Sequence, residues 1–300
     1  MTDSDGGSPL RGGAAEPRSS ATDSGGSADD PVLAEPTGPE RPEPAPGVPA
    51  TPTAAAAVFG TRLSLAEEFV TILADTGISH GLIGPREAPR LWDRHVLNCG
   101  LVHHVIPVGR PGQRVIDIGS GAGLPGLVLA IARPDLEVHL VEPLARRTGW
   151  LSGVTAQLGL ENVVIHTARA ESMWDRISAP WVTARAVSGI LQLAHWTLPL
   201  LEPRGSLLAL KGSRAGEELR EHRAALTRLG VVDAGVEVIG AGLAPEPTIV
   251  LRVTIGESID RRRFRIQTPS SAGSARRRAD RPKGGRGTGS ASRTRGRRTT

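Results

Sequence analysis

Residues 115–126 read Val115-Ile116-Asp117-Ile118-Gly119-Ser120-Gly121-Ala122-Gly123-Leu124-Pro125-Gly126, a short apolar strand pattern that runs straight into a glycine cluster. An apolar helical segment, Leu124 to Ala132, follows at once. Glycines directly after a buried strand allow a tight turn and the close approach of a ligand to the backbone. The helix N-terminus that follows offers unpaired N–H groups and a positive dipole end, so an anionic ligand group is expected there. Few architectures use a strand–glycine–helix unit of this kind. The commonest is the doubly wound α/β sheet.

The flanking pattern agrees. Short apolar runs recur at Val138–Val141, Val163–His166, Trp181–Ala184 and Leu207–Leu210. Helical stretches separate them at Leu144–Leu158, Ile190–Leu201 and Ala215–Leu229. Val231–Ile239 and Ile249–Ile255 read as a closing pair of strands. Such alternation predicts a mainly parallel sheet covered on both faces, with ligands bound beyond the carboxyl ends of its strands. Two amphipathic helices precede the first strand. One opens on the capping-box pattern Ser64-Leu65-Ala66-Glu67, and the other starts near Pro85 and stops before Pro107.

The ends of the chain differ from this middle. Residues 1–60 carry nine acidic against three basic side chains and almost no large apolar residues before Val58-Phe59. Residues 261–300 carry 14 Lys plus Arg against the single acid Asp280. Neither composition buries enough surface to offset chain entropy, so disorder is expected over 1–60 and 260–300. The folded part is expected to be 61–259, with a helical extension at 61–110 and the sheet domain at 111–259. A basic tail suits a polyanion, and nucleic acid is the first expectation. Cys99 is the only cysteine, which rules out an intrachain disulfide. No apolar run approaches the ~20 residues of a spanning helix, and no signal peptide is evident, so a cytoplasmic protein is expected.

Gly121 to Gly126 also satisfies G-x-G-x-x-G, and Glu142 lies 21 residues after Gly121. That spacing is near the ribose-binding acid of a dinucleotide fold. The loop alone leaves NAD and S-adenosylmethionine open. Asp117 favours the second, because a carboxylate facing the cleft repels a pyrophosphate and suits an ammonium or sulfonium. Glu142 is the candidate for the ribose hydroxyls. Ala170-Glu171, after the third strand, is the candidate for the adenine end. Three acids after successive strands fit a cationic adenosyl ligand. Arg185 and Lys211 end the fourth and fifth strands. They are positioning candidates for cofactor, base or phosphate, since both are cationic hydrogen-bond donors beside the expected ligand crevice. Most of the five tryptophans are expected in the core. No metal-ligand cluster stands out.

Taken together, the motifs resemble the small-subunit ribosomal RNA methyltransferase G family, also called glucose-inhibited division protein B. The glycine run with its Gly123-Leu124-Pro125-Gly126 ending is similar to that family's cofactor loop. Trp92-Asp93-Arg94-His95 resembles its arginine–histidine helix, and Val141-Glu142-Pro143-Leu144-Ala145-Arg146-Arg147 its second-strand acid with a basic pair. Thr183-Ala184-Arg185-Ala186 and Ala209-Leu210-Lys211-Gly212 resemble its fourth- and fifth-strand elements. The resemblance spans roughly residues 61–255. It implies a Rossmann-like class I S-adenosylmethionine-dependent methyltransferase with a mainly parallel seven-stranded sheet and an N-terminal helical extension. The implied reaction is methylation of N7 of a single guanine in the decoding region of 16S ribosomal RNA, with naked RNA, the 30S subunit or an assembly intermediate as partner.

By the resemblance, Gly119, Leu124, Ala170, Glu171 and Arg185 contact the cofactor, together with Asp117, Gly121 and Glu142 from the loop reading. Arg94, His95, Arg146, Arg147 and Lys211 are the RNA-binding candidates. A monomer is expected, with no membrane or metal partner. Two departures stand out. The second-strand acid is Glu142 where the family's commonest residue is aspartate. Pro245-Glu246-Pro247-Thr248 precedes the last strand, where many members carry basic residues. The competing readings are an NAD-dependent oxidoreductase and a non-catalytic RNA-binding protein that holds S-adenosylmethionine.

Overall fold

The computed structural model describes residues 48–185 and 188–264. Seven strands form one sheet: β1 (Gln113–Ile118), β2 (Leu136–Glu142), β3 (Val163–Thr167), β4 (Ala179–Arg185), β5 (Leu201–Lys211), β6 (Val231–Ile239) and β7 (Thr248–Ile255). Their order is β3-β2-β1-β4-β5-β7-β6. Strands β1 to β5 pair in parallel, and β7 alone runs antiparallel to both its neighbours. The order reverses between β1 and β4, so the switch-point crevice opens beyond the carboxyl ends of these two strands.

The buried strands alternate between two apolar layers. Val115, Val138, Leu140, Leu208 and Val250 point into one layer, and Ile116, Ile118, Val141, Val182 and Ala209 into the other. This two-sided burial explains why the strands read as near-continuous apolar runs. The first layer is closed by α1 (Thr53–Phe59), α2 (Leu63–Ile72), α4 (Gly126–Ala132) and α5 (Ala145–Gln157). The second is closed by α6 (Ile190–Thr197) and α7 (Ala215–Arg228).

Three expectations about the ends and the extension need correction. The fold begins before residue 61, because Thr53–Phe59 is helical and buries Ala55, Val58 and Phe59. Four consecutive alanines favour helix, and Val58-Phe59 supplies enough apolar surface to dock it. The fold also continues past 259, where a short helical turn, Arg261–Phe264, buries Phe264 in the second layer. Residues 1–47 and 265–300 of the expected tails lie outside the described residues. Ser64 caps no helix, since α1 leads through the turn Gly60–Arg62 directly into α2, leaving no free N-terminus there. Glu67 instead accepts a hydrogen bond from Thr51 Oγ1 at 2.9 Å.

The second helix of the extension does start at Pro85, but its pitch changes along its length. A tight 3-10 segment, Pro85–Arg90, gives way to a wide π-type segment, Leu91–Leu97. The short α3 (Asn98–Gly100) and a last tight stretch, Leu101–Val105, complete it. Pro89, inside the first segment, has no N–H for a regular ladder. Among the described residues no helix is long and apolar enough to cross a membrane.

Candidate active site

Gly119, Gly121 and Gly123 all adopt positive φ, at 72°, 52° and 78°. Side-chain-bearing residues rarely tolerate that region, so the spaced glycines are what lets the chain turn sharply off β1. Gly126, which opens α4, is constrained differently. A Cβ there would lie 2.3 Å from Leu140 Cδ2 and 2.8 Å from Asp117 Oδ2. The missing side chain therefore lets α4 sit directly on the strands.

Asp117 does not face the cleft, contrary to the sequence expectation. Strand alternation turns it toward α4, on the layer of Val115, while Ile118 and Gly119 turn to the cavity. It is fully buried. Its Oδ2 accepts the Gly126 N–H at 3.2 Å and its Oδ1 accepts the Thr183 hydroxyl at 3.2 Å. The Ser120 hydroxyl donates to its backbone carbonyl at 3.0 Å. The anion that the α4 N-terminus receives is thus this carboxylate rather than a ligand group. Burial pushes its carboxyl up to about 6, against the partly offsetting hydrogen bonds. Leu124 is likewise packed in the apolar layer and is not part of the cavity wall.

Two cavities adjoin at the carboxyl edge. The first, about 400 Å³, is lined by Ile118 and Gly119 at the end of β1, Val141, Glu142 and Leu144 at the end of β2, Ala170 and Glu171 after β3, and Arg185. Gly119, Glu142, Ala170, Glu171 and Arg185 lie at or just beyond strand ends, where the sequence reading put them. Glu142 is buried, with Oε2 accepting the Gly121 N–H and Oε1 the Leu144 N–H, each at 3.1 Å. It therefore braces the glycine loop and the start of α5. Each oxygen keeps a second lone pair for a ligand. Arg147, expected to contact RNA, lines this same cavity, 3.5 Å from Glu142. Arg146 is exposed on α5. Trp196 also contributes to the wall, whereas Trp92 and Trp150 are core residues.

The second cavity, about 590 Å³, is basic. Arg90, Arg94, Asn98, Arg185, Ser188 and Lys211 contribute to its wall, with Glu246 the acid among its lining residues. Lys211 Nζ donates to the Ser188 carbonyl at 2.6 Å and to Glu218 Oε1 at 3.1 Å. It is thus a partly buried ion-paired group rather than a free strand-end charge. Glu246 pairs with Arg90 at 3.1 Å, so the acid in the departing loop is matched to a nearby cation. Sequence reasoning missed Arg90 and Asn98 as site residues, and marked Glu246 only as a departure from the family's basic loop. Arg90, Arg94 and Asn98 share a spacing of four, the signal that puts them on one helical stripe.

Arg185 lines both cavities. His95, expected to contact RNA, is buried, and both ring nitrogens are engaged, one with Glu87 at 2.9 Å and one with Arg185 at 3.0 Å. That is a correction: the ring supports a neighbouring side chain and presents no free edge.

A sheet in the order β3-β2-β1-β4-β5-β7-β6 with β7 reversed, and a cleft over the switch point, define the Rossmann-like class I methyltransferase fold. The family model for rRNA small subunit methyltransferase G matches residues 62–246. Relatives named Ribosomal RNA small subunit methyltransferase G include one from Arthrobacter sp. (strain FB24), 52% identical over 205 residues, covering 68% of this chain and 94% of that one. Another, from Nocardioides sp., is 47% identical over 237 residues, covering 79% and 93%. A third, from Mycobacterium leprae, is 47% identical over 212 residues, covering 70% and 85%. The chain belongs to the rRNA small subunit methyltransferase G family. This membership decides between the two cofactors the glycine loop left open, in favour of the methyltransferase class.

Proposed function

We propose that the chain transfers the methyl group of S-adenosylmethionine to N7 of a single guanine in 16S ribosomal RNA, acting as a monomer on the small subunit or its assembly intermediate in the cytoplasm. The observation that carries this reading is the pair of adjoining cavities, one acid-braced and one basic, with Arg185 in the wall of both.

The residues of the smaller cavity fit the donor. Glu142 has lone pairs for two ribose hydroxyls, and Ala170 with Glu171 suits the apolar and amino edges of adenine. Gly119 allows close backbone approach. When bound, the donor supplies an electrophilic methyl group on a sulfonium. Guanine N7 carries a free lone pair and no proton, so no general base is required of the protein. What the protein supplies is alignment, which contributes on the order of 7–11 kcal/mol in well-oriented reactions. Arg185 and Lys211 suit O6 or a backbone phosphate, and Arg90 with Arg94 suits phosphates nearby. Asp117 acts indirectly by pinning the glycine loop and α4.

The test is incubation of the protein with labelled donor and small subunits that lack this methyl group, followed by mapping of the label. One labelled guanine, methylated at N7, is the expected result. Gly119→Arg fills the donor cavity and is expected to abolish binding of S-adenosylhomocysteine. Absence of transfer by a protein that still binds S-adenosylhomocysteine refutes the enzyme reading in favour of a binding protein. Retained binding in Gly119→Arg refutes the cavity assignment.

A further inference from the structure

We propose that Glu87 and His95 form a relay that holds the Arg185 guanidinium on the border between the two cavities, making both of them positioning residues for methyl transfer. The inference rests on the reading of the cavities given above.

Hydrogen-bond polarity fixes the direction of the relay. Arg185 leaves the carboxyl end of β4. One terminal nitrogen donates to Nδ1 of His95 at 3.0 Å and to the Arg94 carbonyl at 3.0 Å, and the other approaches Cys99 Sγ at 3.3 Å. A guanidinium has donors only, so Nδ1 of His95 must be bare and accepting. A neutral ring then carries its proton on Nε2, which lies 2.9 Å from Glu87 Oε2. The chain therefore runs from guanidinium to imidazole to carboxylate, each group donating to the next.

The arrangement keeps the Arg185 charge usable. Among the described residues no carboxylate lies within ion-pair distance of Arg185, although it borders a cavity whose acid, Glu246, is engaged by Arg90. A carboxylate set directly on the guanidinium would neutralise it and compete with a guanine O6 or a phosphate. Placing the anion one imidazole away orients the guanidinium without occupying its charge. His95 is buried beneath this contact, so it has no route to a large ligand of its own.

The ring must stay neutral for the relay to hold. The charged groups facing it are Glu87 and Arg94 from the extension and Arg185 from β4. Burial, followed by Arg185, holds His95 below the ordinary imidazole range, with Glu87 opposing. Protonation would set two cations 3.0 Å apart and break the bond to Nδ1.

The experiment combines methyl-transfer kinetics with nitrogen-15 histidine spectra of the full chain, for the parent, Glu87→Gln and Glu87→Ala, with His95→Gln to assign the signal. The spectra are expected to show His95 protonated on Nε2 alone in the parent at pH 8 and in Glu87→Gln. In Glu87→Gln its titration moves to lower pH, because the anion favouring protonation is gone. Glu87→Ala is expected to mix the tautomers and to lower kcat about tenfold with KM for the subunit little changed, as loss of a charge-assisted contact that aligns a reactive arginine requires. A proton on Nδ1 in the parent overturns the inference, as does a Glu87→Ala enzyme with parental kcat, even if its melting temperature falls. Should the parent itself fail to transfer methyl, the functional reading fails, and the spectra still decide the relay.

Discussion

Asp117→Asn tests the role assigned to the buried acid through stability rather than activity. The Asp117 carboxyl is held at about 6 in the folded chain against an ordinary 3.8. That difference corresponds to about 3 kcal/mol. Below 3.8 both states hold the proton and nothing is lost. Between 3.8 and about 6 the unfolded chain has released it while the folded chain still binds it, so stability falls as pH rises. Above about 6 the full penalty is present. Asparagine never ionises, and its shape preserves both contacts. Its oxygen accepts from Gly126 N, and the Thr183 hydroxyl rotates to accept from its amide. The stability of Asp117→Asn relative to the parent should therefore rise with pH, by about 2 kcal/mol between roughly pH 4.5 and 7.5. Urea unfolding followed by tryptophan fluorescence at several pH values measures it. A difference that stays flat with pH refutes the argument, because it means the buried carboxyl ionises as easily in the fold as in the open chain.

Gly126→Ala should destabilise the fold by about 1–3 kcal/mol and weaken S-adenosylhomocysteine binding, because its Cβ meets Leu140 and the Asp117 carboxylate; thermal melting and calorimetry check both. Glu246→Lys removes the partner of Arg90 and adds a cation to the basic cavity, so RNA affinity should rise and its salt dependence steepen by about one unit of slope or more. Removing residues 265–300, which keeps the buried Phe264, should flatten that same salt dependence, and an unchanged slope in filter binding would show the basic tail to be irrelevant to RNA.

Much of the sheet was legible because its evidence is local. Buried parallel strands advertise themselves as apolar runs such as Val138–Val141, and glycines at 119, 121 and 123 mark a backbone that only glycine adopts readily. Glu142, Ala170, Glu171, Arg185 and Lys211 could be singled out because an α/β sheet binds its ligands beyond its strand ends, which can be counted along the chain, and each of the five lines at least one of the two cavities. The boundaries were less legible. The alanine helix at Thr53–Phe59 and the turn at Arg261–Phe264 are held by a few apolar side chains whose docking sites lie far away in sequence.

Only the tertiary structure decided which way each side chain turned and what it met. Asp117 and Ile118 are neighbours in sequence, yet one braces α4 and the other faces the smaller cavity, because a strand alternates its sides and the helix covers one of them. Glu87, His95 and Arg185 meet across some ninety residues, and Arg90 meets Glu246 across 156. Local pattern reports what a segment buries. It carries no record of partners brought together by the packing of the helical extension on the ends of β4, β5 and β7.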